Sequence, residues 1–231
     1  MRRNLYFYLY PVKGSFWAWH LDRLREHRLA FNGRRIVVVA RDRRTAPMEE
    51  VRSRLAGLDA EVLEVRNSPS LWETAPFLKA LERLRSASAQ EMTFYAHGKG
   101  ATHRGVESLA VQSWCHAMYR MNLSAVEVIE RLMARYSAAG CFRHEQPHGG
   151  SGWHYSGNFF WFKHSALFTR DWRRIERSPF GVEGYLGRHI PLGRSCCLTP
   201  FIPWAELYAR PLALRKCSCW LKALKGRRTA L

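Results

Sequence analysis

Acidic residues are scarce in this chain of 231: 19 Asp and Glu stand against 37 Lys and Arg, a formal net charge of +18. That imbalance selects partners, because nucleic acid, an anionic membrane face and phosphorylated ligands are all drawn to it. Most of the charge is arginine, spread over short runs such as "RRNL", "NGRRI", "RDRR", "DWRR" and "KGRRTAL", so no one patch stands out. Long apolar runs are missing too. The longest aliphatic run, "IVVVA" at 36 to 40, is too short to span a bilayer. The opening "MRRNLYFYLYPVKG" has a brief aromatic apolar part, interrupted by Pro11 and Lys13, with no small-residue cleavage site after it. It reads as the first strand of a cytoplasmic protein and not as a signal peptide. Six cysteines include the adjacent Cys196 and Cys197 and the near pair Cys217 and Cys219, without a CxxC. This excludes a secreted disulfide framework and leaves free thiols. The phosphate loop GxxxxGK[ST] and the dinucleotide fingerprint GxGxxG are absent. So are helix-turn-helix, RRM, KH and zinc-finger patterns, and there is no internal repeat.

What the chain does have is apolar content of 47% with 13% aromatics, enough for one sizeable core or a core plus an extension. Residues 4 to 10 and 35 to 40 read as buried strands, 61 to 65 as an alternating one, and 92 to 96 as a fourth. Between them, apolar positions recur at helical spacing over 16 to 30, from Pro47 to Leu58, and over 71 to 84. Strands alternating with helices at this pitch predict an α/β fold with a largely parallel sheet. A long amphipathic helix is expected over 106 to 138, then a Gly- and His-rich loop, a strand "GNFFWFK" and a helix near 165 to 177. We expect one domain over 1–200 and a basic extension over 201–231. Residues 216 to 228 spell an amphipathic helix with two readings: packing on the domain, or docking on an anionic membrane face.

In open parallel sheets ligands bind beyond the carboxyl ends of the strands. The loops there, "PVKGS", "RDRR", "NSPSLWE" and "HGKGATHRG", are polar or glycine-rich, and three carry cations, which suits a nucleotide diphosphate. In the last of them, Gly98 and Gly100 offer close backbone approach, Lys99 a point charge, and His97 a donor or proton-transfer group.

The run "FYAHGKGATH", a following helix with Trp114, then "WHYSGNFFWFKHSAL" and "FGVEGYLGRHI" resemble a family of bacterial GT-A-type glycosyltransferase-like proteins. Its pattern is a strand ending in H-x-K-G, a strand H-[FY]-S-G-N-[FW]-W, and an acidic residue heading a helix. The upstream "NSPSLWETAPFLKAL" fits it through Asn67 and Glu73, and the resemblance spans roughly 4 to 190. It implies a GT-A-like fold and transfer from a nucleotide-sugar donor to a glycan or lipid-linked acceptor in surface-polysaccharide assembly. By the same resemblance Ser156, Gly157 and Asn158 line the donor sugar and His154 stands at the rim, with Trp153 or Tyr155 facing the acceptor. Asp42, Asn67, Glu73, Gly98, Gly100 and Arg104 fall on the donor side. Glu183 is the candidate general base.

One departure matters. Where most GT-A enzymes place Asp-x-Asp to hold a divalent cation, this chain has His97-Gly98-Lys99. Mg²⁺ and Mn²⁺ need oxygen ligands, so the motif is no ordinary metal clamp, and Lys99 with Arg104 or Arg41 is expected to neutralise the leaving diphosphate instead. A rival cluster, Cys141, His144, His148 and His154 with Glu145 among them, contains zinc-binding residue types but no common zinc spacing. Two other functions remain beside the transferase: a degenerate transferase that binds nucleotide without turnover, and a basic nucleic-acid-binding protein, which the missing motifs disfavour.

Overall fold

The computed structural model describes residues 1–146 and 151–226. The chain runs β1 (Arg2–Leu9), α1 (Trp17–Glu26), β2 (Arg35–Arg41), α2 (Met48–Leu55), β3 (Glu61–Arg66), α3 (Thr74–Leu84), β4 (Glu91–His97), α4 (Gly105–Leu123) and α5 (Val126–Arg135). It continues through β5 (Ala138–Gly140), β6 (Arg143–His144), β7 (His154–Tyr155), β8 (Phe160–Lys163), α6 (His164–Leu167), α7 (Gly181–His189), β9 (Ser195–Cys197), α8 (Trp204–Ala209) and α9 (Leu214–Gly226). Seven strands form one sheet in the order β3-β2-β1-β4-β8-β5-β9, and β6 pairs with β7 apart from it. β3, β2, β1 and β4 are parallel, as are β5 and β9, while β8 runs antiparallel between β4 and β5. The protein is thus an α/β fold with a mostly parallel sheet flanked by helices.

Side-chain alternation along the strands splits the interior into two cores. Leu5, Phe7, Val37, Val39, Phe94 and Trp161 point to one face, against α1, α2, α4 and α5. Tyr6, Tyr8, Ile36, Val38, Tyr95, Phe160 and Phe162 point to the other, against α3 and α7. The inner strands are apolar on both sides because helices cover both. The edge strand β3 alternates, and its exposed Glu61 and Glu64 pair with Arg83 and with Arg41 and Arg52, which blunts the edge.

Two expected helices differ in the structure. The run 106 to 138 is two helices and a strand, broken at Ser124 and Ala125. Near the break, the Asn122 carbonyl accepts the indole N–H of Trp161 at 3.2 Å, tying the end of α4 to β8. Of the helix expected at 165 to 177 only α6 forms. Beyond it the carbonyls of Trp172 and Arg174 accept from the Tyr185 hydroxyl (2.6 Å) and His189 Nε2 (2.8 Å), so α7 takes backbone groups that a helix would have used. α8 and α9 pack on α4, and Leu207, Cys217, Leu221 and Leu224 join the first core. The apolar face of α9 is therefore covered by the domain. No helix among the described residues is long and apolar enough to cross a membrane.

Candidate functional site at the carboxyl ends of the strands

In the order β3-β2-β1-β4 the chain reverses direction across the sheet between β1 and β4, the place where open α/β sheets open a ligand crevice. Two polar constellations flank that point.

On the β2–β3 side, the Asp42 carboxylate accepts from the Tyr10 hydroxyl (2.5 Å), Asn67 Nδ2 (3.0 Å), the Arg44 guanidinium (3.3 Å) and the Arg44 backbone N–H (2.8 Å). Desolvation pushes its pKa up, but these bonds outweigh it and hold the carboxyl down at about 2. Asp42 is therefore an ionised acceptor at any ordinary pH. Arg41, Arg43, Arg44, Arg66, Asn67 and Pro69 join it around a cleft of about 460 Å³. The loop after β1 reaches the same place, since Lys13 N–H donates to Arg44 O at 2.9 Å and Val12 bridges to Thr45.

On the β4 side, His97 at the end of its strand lies with Nδ1 2.5 Å from Glu73 Oε2 and Nε2 3.1 Å from Gly157 O. A carbonyl only accepts, so Nε2 is the donor to Gly157 O, while Nδ1 lies at contact distance from the Glu73 carboxylate. Asn158 Nδ2 donates to the other Glu73 oxygen at 2.7 Å. Gly157 and Asn158 both adopt left-handed backbone, with φ of 89° and 58°, forming a tight turn whose Asn158 N–H returns to Tyr155 O. The loop after β4 and the turn before β8 thus meet in one place. Beneath them the hydroxyls of Tyr6 and Tyr95 are pushed well up, by burial first and then by the Glu73 charge. The Tyr6 hydroxyl, Asn158 Oδ1 and Trp114 Nε1 are buried without a hydrogen-bond partner among the described residues.

Several expected roles change on this geometry. Glu73 (side chain 7% exposed) and His97 (19%) hold the Gly157–Asn158 turn with the polar atoms expected to serve a donor or a proton transfer. Ser156 and Asn158 are buried, and the space a side chain on Gly157 would fill is taken by Met118 and Trp114, each within 2.9 Å of that point. These three residues build the floor and leave no room there for a sugar. Likewise the ring of Phe16 occupies the space beside Gly100, whose φ of 92° serves packing and not ligand approach, and Gly98 sits against Leu9. Trp153 (3% exposed) and Tyr155 (1%) are core rings bonded to Ile190 O and Cys196 O, so neither offers a face to an acceptor. His154 is half-buried, its ring stacked on His144 at 5.3 Å.

Lys99 does not join Arg104 and Arg41 as a diphosphate clamp. Its ammonium lies 4.5 Å from the centre of the Trp114 ring and 5.4 Å from that of Tyr208. Burial pushes its pKa down, and Tyr208 and Glu183 more than offset that, leaving it raised. Arg104 is exposed and donates to Ala101 O and His103 O, while Arg41 pairs with Glu64 on the edge strand β3. Glu183 sits in the first turn of α7, as the motif implies, within electrostatic reach of Lys99. The helix packs closely there: a side chain on Gly181 would strike Glu176 O and Thr74.

Three residues of the site were not anticipated. Trp72 (51% exposed, φ 46°) and Phe180 (48%) meet edge to face at 6.4 Å, where the chain enters α3 beside Glu73 and α7 ahead of Glu183. Tyr208, from the expected extension, roofs Lys99. The loop "NSPSLW" and the phenylalanine before "GVEG" were visible as letters, but no sequence signal pairs them.

A divalent cation, implied by the resemblance, does not fit these residues: the end of β4 offers a glycine and an ammonium where carboxylates are needed. For the zinc reading, Cys141 Sγ faces Asn122 (3.3 Å) in the core and His148 lies outside the described residues. Among the described residues no cluster of three or more His, Cys, Asp or Glu is placed to hold a metal.

No family model matches the chain, and no curated protein matches it. Among solved structures it is similar to a crystal structure of 4-diphosphocytidyl-2C-methyl-D-erythritol synthase, at 10% identity and a TM-score of 0.43, over 97% of this chain and 99% of that one. A likeness of that size adds nothing to the reading of the site, which stands on its own geometry.

Proposed function

We propose that the chain is a transferase acting on a nucleotide-linked substrate, and within that class a GT-A-type glycosyltransferase that moves a sugar from a nucleotide diphosphate sugar to an acceptor hydroxyl. The observation that supports it is the polar carboxyl edge of the sheet at the β1/β4 switch point, with an ionised Asp42 among arginines on the β2–β3 side and Glu183 near the Trp72–Phe180 pair on the other. Asp42, with Tyr10 and Asn67, accepts from hydroxyl or amino groups of the nucleoside. Arg43 and Arg66, exposed on the cleft, attract the phosphates and take over charge that a metal would neutralise. The acceptor lies against Trp72 and Phe180, whose faces suit the apolar side of a sugar ring. Glu183 takes the proton of the attacking hydroxyl as the bond from sugar to diphosphate breaks, and the nucleoside diphosphate leaves. Lys99 supplies the positive charge that Glu183 faces. Glu73, His97 and Asn158 are positioning residues for the floor.

The test is a thermal-shift panel of UDP-, GDP-, CMP- and dTDP-sugars against single-stranded DNA, then transfer or hydrolysis of the responding donor in the presence of EDTA. One donor class should stabilise the protein with a dependence on its concentration. Asp42→Ala should abolish that shift, and Glu183→Gln should keep it while slowing turnover by about 10²–10⁴-fold. Stabilisation without turnover would leave a nucleotide-sugar binder. Stabilisation by DNA alone would overturn the proposal in favour of a basic nucleic-acid-binding protein.

A further inference from the structure

α1 and α4 begin at the carboxyl ends of β1 and β4 and run back along the sheet, so their last turns lie away from that carboxyl edge. There Arg23 and His27, four apart at the end of α1, face His116 and Arg120, four apart on α4. With Glu26, Tyr119 and Ser124 they line a concavity of about 210 Å³. The only carboxylate, Glu26, is paired to Arg23. The Arg23 guanidinium rests over the Trp19 ring at 5.5 Å, yet its Nε is buried and makes no hydrogen bond. The side chains of His27, His116 and Arg120 form no hydrogen bond or ion pair among the described residues. Four cationic or protonatable groups therefore line one hollow with a single acid among them, and apart from the Arg23–Glu26 pair their side-chain donors are unused among the described residues. A chain that merely solvated its charge would spread such groups outward, because like charges held together raise each other's cost. Both imidazoles are pushed down, first by burial, with Arg23 and its neighbours adding to it.

We infer that this concavity binds a phosphate dianion, carried either free or as a terminal phosphomonoester. Its chemistry is that of a phosphate cradle: two guanidinium forks give bidentate, charge-assisted bonds, imidazoles and the Ser124 hydroxyl donate to the remaining oxygens, and the bound charge relieves the repulsion. The volume equals about seven waters of liquid, room for a phosphate group with part of its hydration but not for a whole nucleotide. The Tyr119 hydroxyl is engaged with His20 at 3.1 Å, so that ring serves as a wall.

The site is tested without any sugar donor, so its failure and that of the transfer reading are separable. Calorimetric titrations with inorganic phosphate and with glycerol 3-phosphate, against chloride of matched ionic strength, should show saturable binding of at least one. Phosphate alone identifies the free anion, and tighter glycerol 3-phosphate identifies a phosphomonoester. The imidazole ¹⁵N resonances of His27 and His116 should move with the titration. Arg120→Gln should weaken binding by about tenfold or more, as should His116→Gln, which guards against a folding defect in the first variant. No binding above chloride, or binding unchanged in both variants when each melts like the wild type, overturns the inference.

Discussion

Gly157 shows how one missing side chain can hold two loops together. Its left-handed backbone points its carbonyl at His97, and the space over its Cα is already filled by Trp114 and Met118. Gly157→Ala meets both a forbidden backbone region and an occupied space, and should cost about 2–4 kcal/mol of stability, read as a lower urea midpoint at unchanged slope. Trp72 is the opposite case, a large side chain held at positive φ and left half exposed, with the edge-to-face contact to Phe180 as its ring packing. Trp72→Ala should leave the melting temperature within a few degrees and raise the acceptor KM while donor binding is unchanged. Two buried histidines set the acid response. Burial holds His20 at about 3, from 6.5, despite the bond to Lys99 O that favours its charged form. Burial likewise holds His164 at about 4, with Glu91 opposing. Below pH 6.5 the unfolded chain binds protons that these rings refuse in the fold, so stability falls as pH drops from 6.5 toward 4. The loss should approach about 1.4 kcal/mol per pH unit for each group, and a urea series from pH 7 to pH 4 measures it. In His20→Gln that slope should be shallower.

Among the elements, α9 makes opposite demands on one apolar face. Cys217, Leu221 and Leu224 are buried against the domain, while Arg215, Lys216, Lys222 and Lys225 stay in water. Leu224→Ala should therefore cost about 2–4 kcal/mol in denaturant midpoint. A helix whose apolar side waited for a membrane would lose almost nothing by the same change. The first four strands and the first three helices were legible in the sequence because each carries a clean period: "IVVVA" buried on both faces, "EVLEVR" alternating, "TAPFLKALERL" apolar at helical spacing, whereas the two- and three-residue strands β5, β6, β7 and β9 are too short to show one. The failures came where a distant group captured the backbone. Trp161 holds the carbonyl of Asn122, and Tyr185 and His189 hold those of Trp172 and Arg174. Local periodicity carries no record of such bonds.

Over the whole molecule, the mostly parallel sheet and its polar carboxyl edge follow from the alternation of elements, and so the region of the candidate site was legible before its contents were. The motif residues do gather: His97, Glu73, Gly157 and Asn158 are in contact, with Lys99 and Glu183 beside them. What sequence could not reveal is which of them face inward. A Ser-Gly-Asn reads the same in an open sugar pocket as in a buried turn, and only the filled space over Gly157 tells them apart. The Trp72–Phe180 rim and the Tyr208 roof join segments far apart in the chain, so no spacing announces them. The roof has a practical side. Trimming the protein at residue 200 would strip the phenol from Lys99 and bare the indole of Trp114, so a shortened version that lost activity would report damage to a loop half a chain away, and not the removal of a dispensable tail.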